Sequence, residues 1–244
     1  GSMSEKQVLA VDYGASGGRV MLGGFDGASF TISELHRFPN DPVKLGDTMY
    51  WDVLRLYFEM KQGIVKSKAH GAISGIGVDT WGVDFGLLDR EGRLLDNPVH
   101  YRDGRTAGMM EKTLKMVGRD PLYELTGNQL MEINTLFQLM AVKERRPELL
   151  ERADALLLMP DLFQYFLSGE KISEKSIAST TQMMDLRQGK WAFGLLETLG
   201  LQAGMMRDIL PGAVRTGSLR PEIRKELGVP AMEVIAVAGH DTQS

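Results

Sequence analysis

Apolar positions along the chain fall into two patterns: short runs cut off by Gly/Asp turns, and longer stretches with helical spacing. Residues 8–11, Val-Leu-Ala-Val, read as a short buried strand running into Asp12-Tyr13-Gly14-Ala15-Ser16-Gly17-Gly18, a turn by composition. Residues 19–25 and 30–38 read as two further strands, with Asp26-Gly27 as the hairpin signal between them. Residues 51–67 are helix-like, with Trp51, Leu54, Phe58 and Ile64 or Val65 as the predicted apolar face. Residues 73–78 predict a strand ending in Asp79-Thr80-Trp81-Gly82, and residues 83–88 another, closed by Asp89-Arg90-Glu91-Gly92.

From 106 to 201 the pattern is mostly helical, with short strands possible at 156–159 and 183–186. Thr135-Leu136-Phe137-Gln138 has the form of a capping box. Pro160 and Pro221 stand where helices could begin. Residues 204–217, with Pro211-Gly212, predict a long surface loop, and residues 234–238 a last buried strand. The strands at 8–11, 73–78 and 234–238 lead into Asp12, Asp79 and Asp241. If they run parallel in one sheet, their ends lie on one edge, where open α/β sheets bind ligands.

Composition narrows the function classes. The chain has 244 residues, 43% of them apolar and 25% charged, enough for a sizeable core. A net charge of -4 argues against a nucleic-acid surface. The apolar runs are far too short to span a bilayer. With no cysteine there are no disulfides and no Cys-ligated zinc, which fits a reducing compartment. Gly1-Ser2-Met3 reads as a scar of tag removal, and no secretory signal is expected. The histidines, at 36, 70, 100 and 240, lack metal-ligand spacing. Met109-Met110, Met183-Met184 and Met205-Met206 are expected to fill core.

Four segments could carry chemistry. In Asp12-Tyr13-Gly14-Ala15-Ser16-Gly17-Gly18-Arg19, glycines beside small residues leave N–H groups free to face an oxyanion. A strand follows it instead of a helix, which separates it from a Rossmann fingerprint or a P-loop. Two readings stay open: a hairpin that wraps phosphate, with Asp12 holding Mg²⁺ through water and Arg19 balancing charge, or an ordinary Gly-rich hairpin. Residues 75–88 carry Asp79, Trp81 and Asp84. A carboxylate beside an aromatic face suits a sugar, whereas the bland alternative is a corner in which Trp81 fills core. Tyr101-Arg102-Asp103-Gly104-Arg105-Thr106 is either a ligand-facing loop or an exposed helix entry. Gly239-His240-Asp241-Thr242 puts a carboxylate at a strand end, where it could take a proton from an attacking hydroxyl or merely form an Asx turn.

Taken in order, these segments, with Asn134-Thr135-Leu136-Phe137-Gln138-Leu139 and Leu158-Met159-Pro160-Asp161, resemble the successive motifs of the FGGY sugar kinases. The resemblance is to the rhamnulokinase branch and covers residues 8–244. The Asp-Thr-Trp-Gly-Val-Asp-Phe stretch favours that branch over glycerol, xylulose or gluconate kinases. The resemblance implies an α/β, actin-like (ribonuclease H-like) ATPase fold: a mixed sheet with flanking helices and a mostly helical insert. It implies two domains with sugar and ATP in the cleft between them, residues 4–244 being the N-terminal, sugar-binding one. It further implies a cytoplasmic enzyme that converts L-rhamnulose and ATP to L-rhamnulose 1-phosphate and ADP, with Mg²⁺.

Carried over by residue, Asp241 matches the catalytic base, with His240 and Thr242 beside it in the sugar site. Gly82 falls at a sugar-contact position. Ala15, Ser16, Gly17, Gly18 and Arg19 fall on the first phosphate loop, and Asp12 matches the acid that helps hold Mg²⁺ by water. Trp81, Asp84, Tyr101 and Arg102 are added from their chemistry as cleft wall. Gly17 and Gly239 stand where close relatives often have Ser. The family continues past His-Asp-Thr into a second domain with its own phosphate loop and adenine pocket, so the 244 residues alone are expected to turn over little ATP. Other readings are a sugar-binding module without catalysis, a kinase for another ketose, and an actin-like interaction domain sharing only the fold.

Overall fold

The computed structural model describes residues 6–212 and 214–237. The chain opens with a meander of β1 (Lys6–Tyr13), β2 (Gly17–Phe25) and β3 (Phe30–Pro39), then a small hairpin of β4 (Val43–Leu45) and β5 (Thr48–Tyr50). Next come α1 (Val53–Ser67), β6 (Gly75–Asp79) and β7 (Phe85–Leu88). A helical region follows: α2 (Met109–Val117), α3 (Arg119–Thr126), α4 (Thr135–Arg145) and α5 (Pro147–Arg152). It leads to β8 (Ala155–Leu158), α6 (Met159–Ser168), β9 (Ser173–Glu174) and α7 (Lys175–Ala178). After β10 (Met184–Asp185), β11 (Lys190–Trp191), α8 (Phe193–Thr198) and β12 (Ile209–Leu210), the described chain closes with β13 (Val214–Ser218), α9 (Pro221–Leu227) and β14 (Glu233–Ala236).

Six strands form the main sheet in the order β13-β14-β6-β1-β2-β3. β6 runs parallel to β1 on one side and to β14 on the other. The three strands expected to share one sheet and one direction therefore do so. β1 is not wholly buried, as its run of apolar residues suggested. Leu9, Val11 and Tyr13 enter the core while Val8 and Ala10 point the other way, the period of a half-covered strand. α1, α6 and α9 cover the core face, where Leu56, Met60, Phe163 and Ile223 pack on Val11, Val20 and Ile76. On the opposite face Val8, Met21, Ile32, Ile235 and Val237 line an open apolar groove.

α1 begins where Asp52 accepts the Arg55 N–H, but its buried stripe differs from the expected one. Val53, Leu56, Met60 and Ile64 face the sheet, together with Glu59, Gly63 and Ser67, whereas Leu54, Phe58 and Val65 face solvent. Trp51 and Ile64 are buried as expected, but the buried face also contains an acid, a glycine and a serine, so hydropathy spacing misplaced Leu54 and Phe58. Glu59 is kept there by His36 at 2.5 Å and Arg55 at 2.8 Å. Residues 204–217, expected as a surface loop, instead contain β12 and most of β13, with Met205 and Met206 buried.

β7 and β8 pair antiparallel as a separate ribbon between two hydrophobic cores. Leu88, Ala155 and Leu157 join the core under the main sheet. Phe85, Leu87, Leu156 and Leu158 join the core of the helical region, with Phe137, Met183, Trp191 and Leu196. Neither run alternates polar with apolar because both faces of the ribbon are covered.

Candidate functional site

The site begins at the carboxyl ends of β1 and β6, where Asp12 and Asp79 are register partners on parallel strands. Burial pushes the Asp79 carboxyl up to about 6, with the charge of Asp12 adding to the shift. Asp12 also faces Arg19 across the hairpin, at 3.3 Å, with both side chains nearly half exposed. Such a pair is weak in water and leaves both groups free to meet a ligand.

Between β1 and β2 the turn closes with the Gly14 N–H donating to the Gly17 carbonyl at 2.7 Å. Asn40 clamps it from β3's end: its side-chain amide donates to the Gly14 carbonyl at 2.8 Å and its N–H to the Ser16 carbonyl at 3.3 Å. Ala15 and Ser16 remain exposed. Asp12, Gly14, Ser16, Gly17, Gly18 and Arg19 line a groove of about 600 Å³. Gly18 has a packing reason to be glycine, since a Cβ there would lie 2.3 Å from the Phe38 ring. Asn40 was missed from sequence because its role is set by β3 returning beside the turn.

Beyond Asp79 the chain makes a tight corner. The Asp84 N–H donates to the Gly82 carbonyl at 2.8 Å, and Val83 at its centre has φ 65. This is a γ-turn of the strained, positive-φ kind, uncommon for a β-branched residue. Gly82 is buried within it. α4 holds the corner closed: the Thr135 hydroxyl donates to the Val83 carbonyl at 2.7 Å, and the Gln138 amide to Asp84 Oδ1 at 2.9 Å. The expected capping box therefore does not form. Asn134 is the N-cap residue, and Thr135 and Gln138 serve the corner instead of their own helix.

Asp84, expected in the cleft wall, is fully buried behind it. Its Oδ2 accepts the indole N–H of Trp51 at 2.5 Å, that of Trp81 at 3.1 Å and the Tyr101 backbone N–H at 3.2 Å. Burial pushes its carboxyl up to about 6 although the N–H groups of Gln138, Trp51 and Trp81 favour the charge. Trp51 is sandwiched, 4.0 Å from the Trp81 ring on one side and 4.0 Å from His100 on the other. Trp81 and Tyr101 are half-buried, and Arg102 is exposed with its guanidinium 5.6 Å from the Tyr101 ring. Trp81, Asp84 and Tyr101 are thus brought together, with Arg102 outermost. Trp51, His100 and Gln138 belong to the same cluster but were not identified from sequence. In the sequence Trp51 marks the start of a helix face, and no local spacing links it to Asp84.

His240, Asp241 and Thr242 lie outside the described residues. Among the described residues no group of three or more His, Cys, Asp or Glu side chains forms a metal cluster. No helix among them is long and apolar enough to cross a membrane. The arrangement combines a glycine-rich turn with a neighbouring carboxylate pair and, a few residues on, a rigid corner walled by aromatic rings. Such a surface can bind phosphate oxygens on one side and a polyol on the other.

Residues 7–244 match the profile of the FGGY family of carbohydrate kinases, N-terminal domain. A rhamnulokinase of Oceanobacillus iheyensis is 42% identical over 238 residues, which is 97% of this chain and 50% of the relative. A rhamnulokinase of Bacteroides thetaiotaomicron is 41% identical over 243 residues, 98% of this chain and 50% of the relative. Among solved structures, gluconate kinase from Lactobacillus acidophilus superposes with a TM-score of 0.84 at 16% identity, over 97% of this chain and 49% of that one, which shows the fold alone. The fold is the actin-like ATPase fold expected from the motifs. The chain spans about half the length of the curated relatives it matches.

Proposed function

This chain belongs to the FGGY family of carbohydrate kinases, and from that premise we propose that it supplies the sugar-binding half of an ATP-dependent kinase acting on the 1-hydroxyl of L-rhamnulose. The observation that carries the reading is the pairing of Asp12, which leads into the glycine-rich turn, with Asp79, from which the corner at 80–84 departs, at one edge of the parallel strands. Relatives named rhamnulokinase, 42% and 41% identical over nearly the whole chain, support the choice of sugar.

In this reading the ketose lies against Gly82, Trp81 and Tyr101, with Arg102 at the rim and His240 and Thr242 near the reacting hydroxyl. Asp241 accepts the proton of that hydroxyl as its oxygen attacks the γ-phosphorus and ADP leaves. Ala15, Ser16, Gly17, Gly18 and Arg19 meet the phosphate oxygens with N–H groups and one guanidinium. The side-by-side carboxylates of Asp12 and Asp79 are a donor set that suits hydrated Mg²⁺. Bound there through water, the ion would neutralise phosphate charge. The adenine pocket and the other phosphate contacts are assigned to the second half of the full-length enzyme, and closure of the two halves would exclude water.

Steady-state kinetics of the full-length enzyme test this reading. Asp241→Asn should lower kcat by about 10²–10⁴-fold while calorimetry finds sugar binding little changed. Asp12→Asn should lose activity that high Mg²⁺ partly restores. Near-normal kcat for Asp241→Asn would move the base elsewhere, Asp79 being the next carboxylate on the edge. The second reading is a sugar-binding module without catalysis. Calorimetry with L-rhamnulose, paired with an ATPase assay with and without sugar, separates the two.

A further inference from the structure

We propose that Asp84 is a positioning residue, its carboxylate gathering Trp51, Trp81, Tyr101 and Gln138 so that the Trp81 ring and the Val83 corner hold one shape for the sugar. This rests on the reading of the corner as the sugar site. Asp84 has 0% exposure, and its two oxygens accept four N–H groups from four different segments of the chain. Four bonds match the usual accepting capacity of a carboxylate, and full burial keeps a sugar hydroxyl from reaching it.

The four partners are all donors, so the group they surround must be acceptor-only, which an ionised carboxylate is and an amide is not. The order extends one residue further. Gln138 donates its NH₂ to Asp84 Oδ1, and its Oε1 accepts Arg105 Nη2 at 2.9 Å. The amide orientation of Gln138 is therefore fixed from both ends, by a cation and by a carboxylate. Asparagine at 84 would keep its oxygen toward the three donors at Oδ2 and turn its NH₂ toward the NH₂ of Gln138. If Gln138 flipped to answer, it would point donors at Arg105. Either way one contact fails, and the failure lies next to the corner. Because Thr135 and Gln138 also reach the Val83 carbonyl, loosening Gln138 releases a strained turn that relaxes only by moving.

The phosphate turn is held by Asn40 and the β1–β2 pairing, which the Asp84 cluster does not touch. That independence separates a positioning role from general damage. In the full-length enzyme, Asp84→Asn should raise the KM for L-rhamnulose between about 10- and 100-fold, as expected for misplacing a contact surface. The KM for ATP should stay within about twofold. Emission from Trp51 and Trp81 should shift to the red, while Trp191, in the other core, stays unchanged. The double variant Asp84→Asn/Gln138→Glu exchanges amide and carboxylate. It should recover part of the sugar KM, though not all, because a carboxylate in place of the Gln138 amide cannot donate to the Ile133 carbonyl.

A folded Asp84→Asn enzyme with unchanged sugar KM would overturn the proposal, as would an equal rise in both KM values. Should that variant fail to fold, Trp51→Phe keeps a buried ring away from the sugar and removes only one of the N–H groups. A rise in sugar KM without a rise in ATP KM then supports the proposal, and an unchanged sugar KM overturns it. The wild-type enzyme is first assayed against several ketoses. Turnover of none would sink the kinase reading itself, whereas turnover of a different ketose leaves the Asp84 measurements to be made with that sugar.

Discussion

Asp161 stands in the first turn of α6, wholly buried, with Oδ1 accepting the Glu174 N–H at 3.2 Å and Oδ2 without a hydrogen-bond partner among the described residues. Burial pushes its carboxyl well above the usual range against the lowering pull of the Glu174 N–H, and the Glu174 charge adds a smaller rise. Below the unfolded pKa, near 3.8, both states hold the proton and stability does not vary with pH through Asp161. As pH rises past that value the unfolded chain ionises first. Stability then falls by about 1.4 kcal/mol per pH unit until the folded pKa is reached. Asp161→Asn should remove that slope, so the variant gains stability relative to wild type as pH rises above about 4 in urea titrations. A difference that stays flat with pH would mean the carboxyl is not held in its neutral form. The segment around Asp161 was legible as a motif, but its burial was not. Asp84 presents the same contrast, standing out as a carboxylate beside a tryptophan. Its partners Trp51, Tyr101 and Gln138 come from distant segments, and hydrogen bonds at such separations leave no local pattern.

Helix α1 meets β2 at Gly63, where a Cβ would lie 2.4, 2.6 and 2.8 Å from three atoms of Val20. Two effects compete at this position. Alanine in a helix interior gains about 1 kcal/mol over glycine. Overpacking a well-filled contact costs about 1–3 kcal/mol, and Val20 Cβ is anchored to a strand that cannot swing aside. The second effect should win, so Gly63→Ala should lower the free energy of unfolding by about 1–2 kcal/mol in urea. A stabilised variant would show that α1 lifts easily from the sheet. At this scale most strands, the Asp26-Gly27 hairpin and the prolines opening α6 and α9 were readable, because turn chemistry and proline geometry act locally. The face of α1 was not, since Glu59 and Gly63 are buried while Leu54 and Phe58 are exposed. The Thr135–Gln138 pattern was present as read, but tertiary contacts to Val83 and Asp84 took both side chains.

The two cores share the β7–β8 ribbon, whose residues alternate between them. Loss of either core strips one face of that ribbon, so the halves should unfold together. Trp81 packs against the sheet core and Trp191 lies in the helical core, giving a reporter for each. Urea transitions of a Trp191→Phe variant and of a Trp51→Phe/Trp81→Phe double variant, each referred to its own circular dichroism, should coincide between fluorescence and secondary structure. Staggered transitions would mean the helical region is an independent unit. The sheet's parallel centre was legible from three strands ending in similar turns. The ribbon was less so, because Phe-Gly-Leu-Leu and Ala-Leu-Leu-Leu carry no alternation to say which side faces which core.

The strand order also sets a timetable for synthesis. β6 finds β1 already made on one side, but its other neighbour, β14, begins at Glu233, roughly 150 residues after β6 ends at Asp79. At about 5–20 residues per second a ribosome needs on the order of ten seconds to deliver it. Through that interval one edge of β6 presents unpaired N–H and C=O groups to whatever the nascent chain meets, including its neighbours on the same message. Slower initiation, which spaces ribosomes apart, and ready access to holdase chaperones are therefore the conditions under which this domain should emerge soluble.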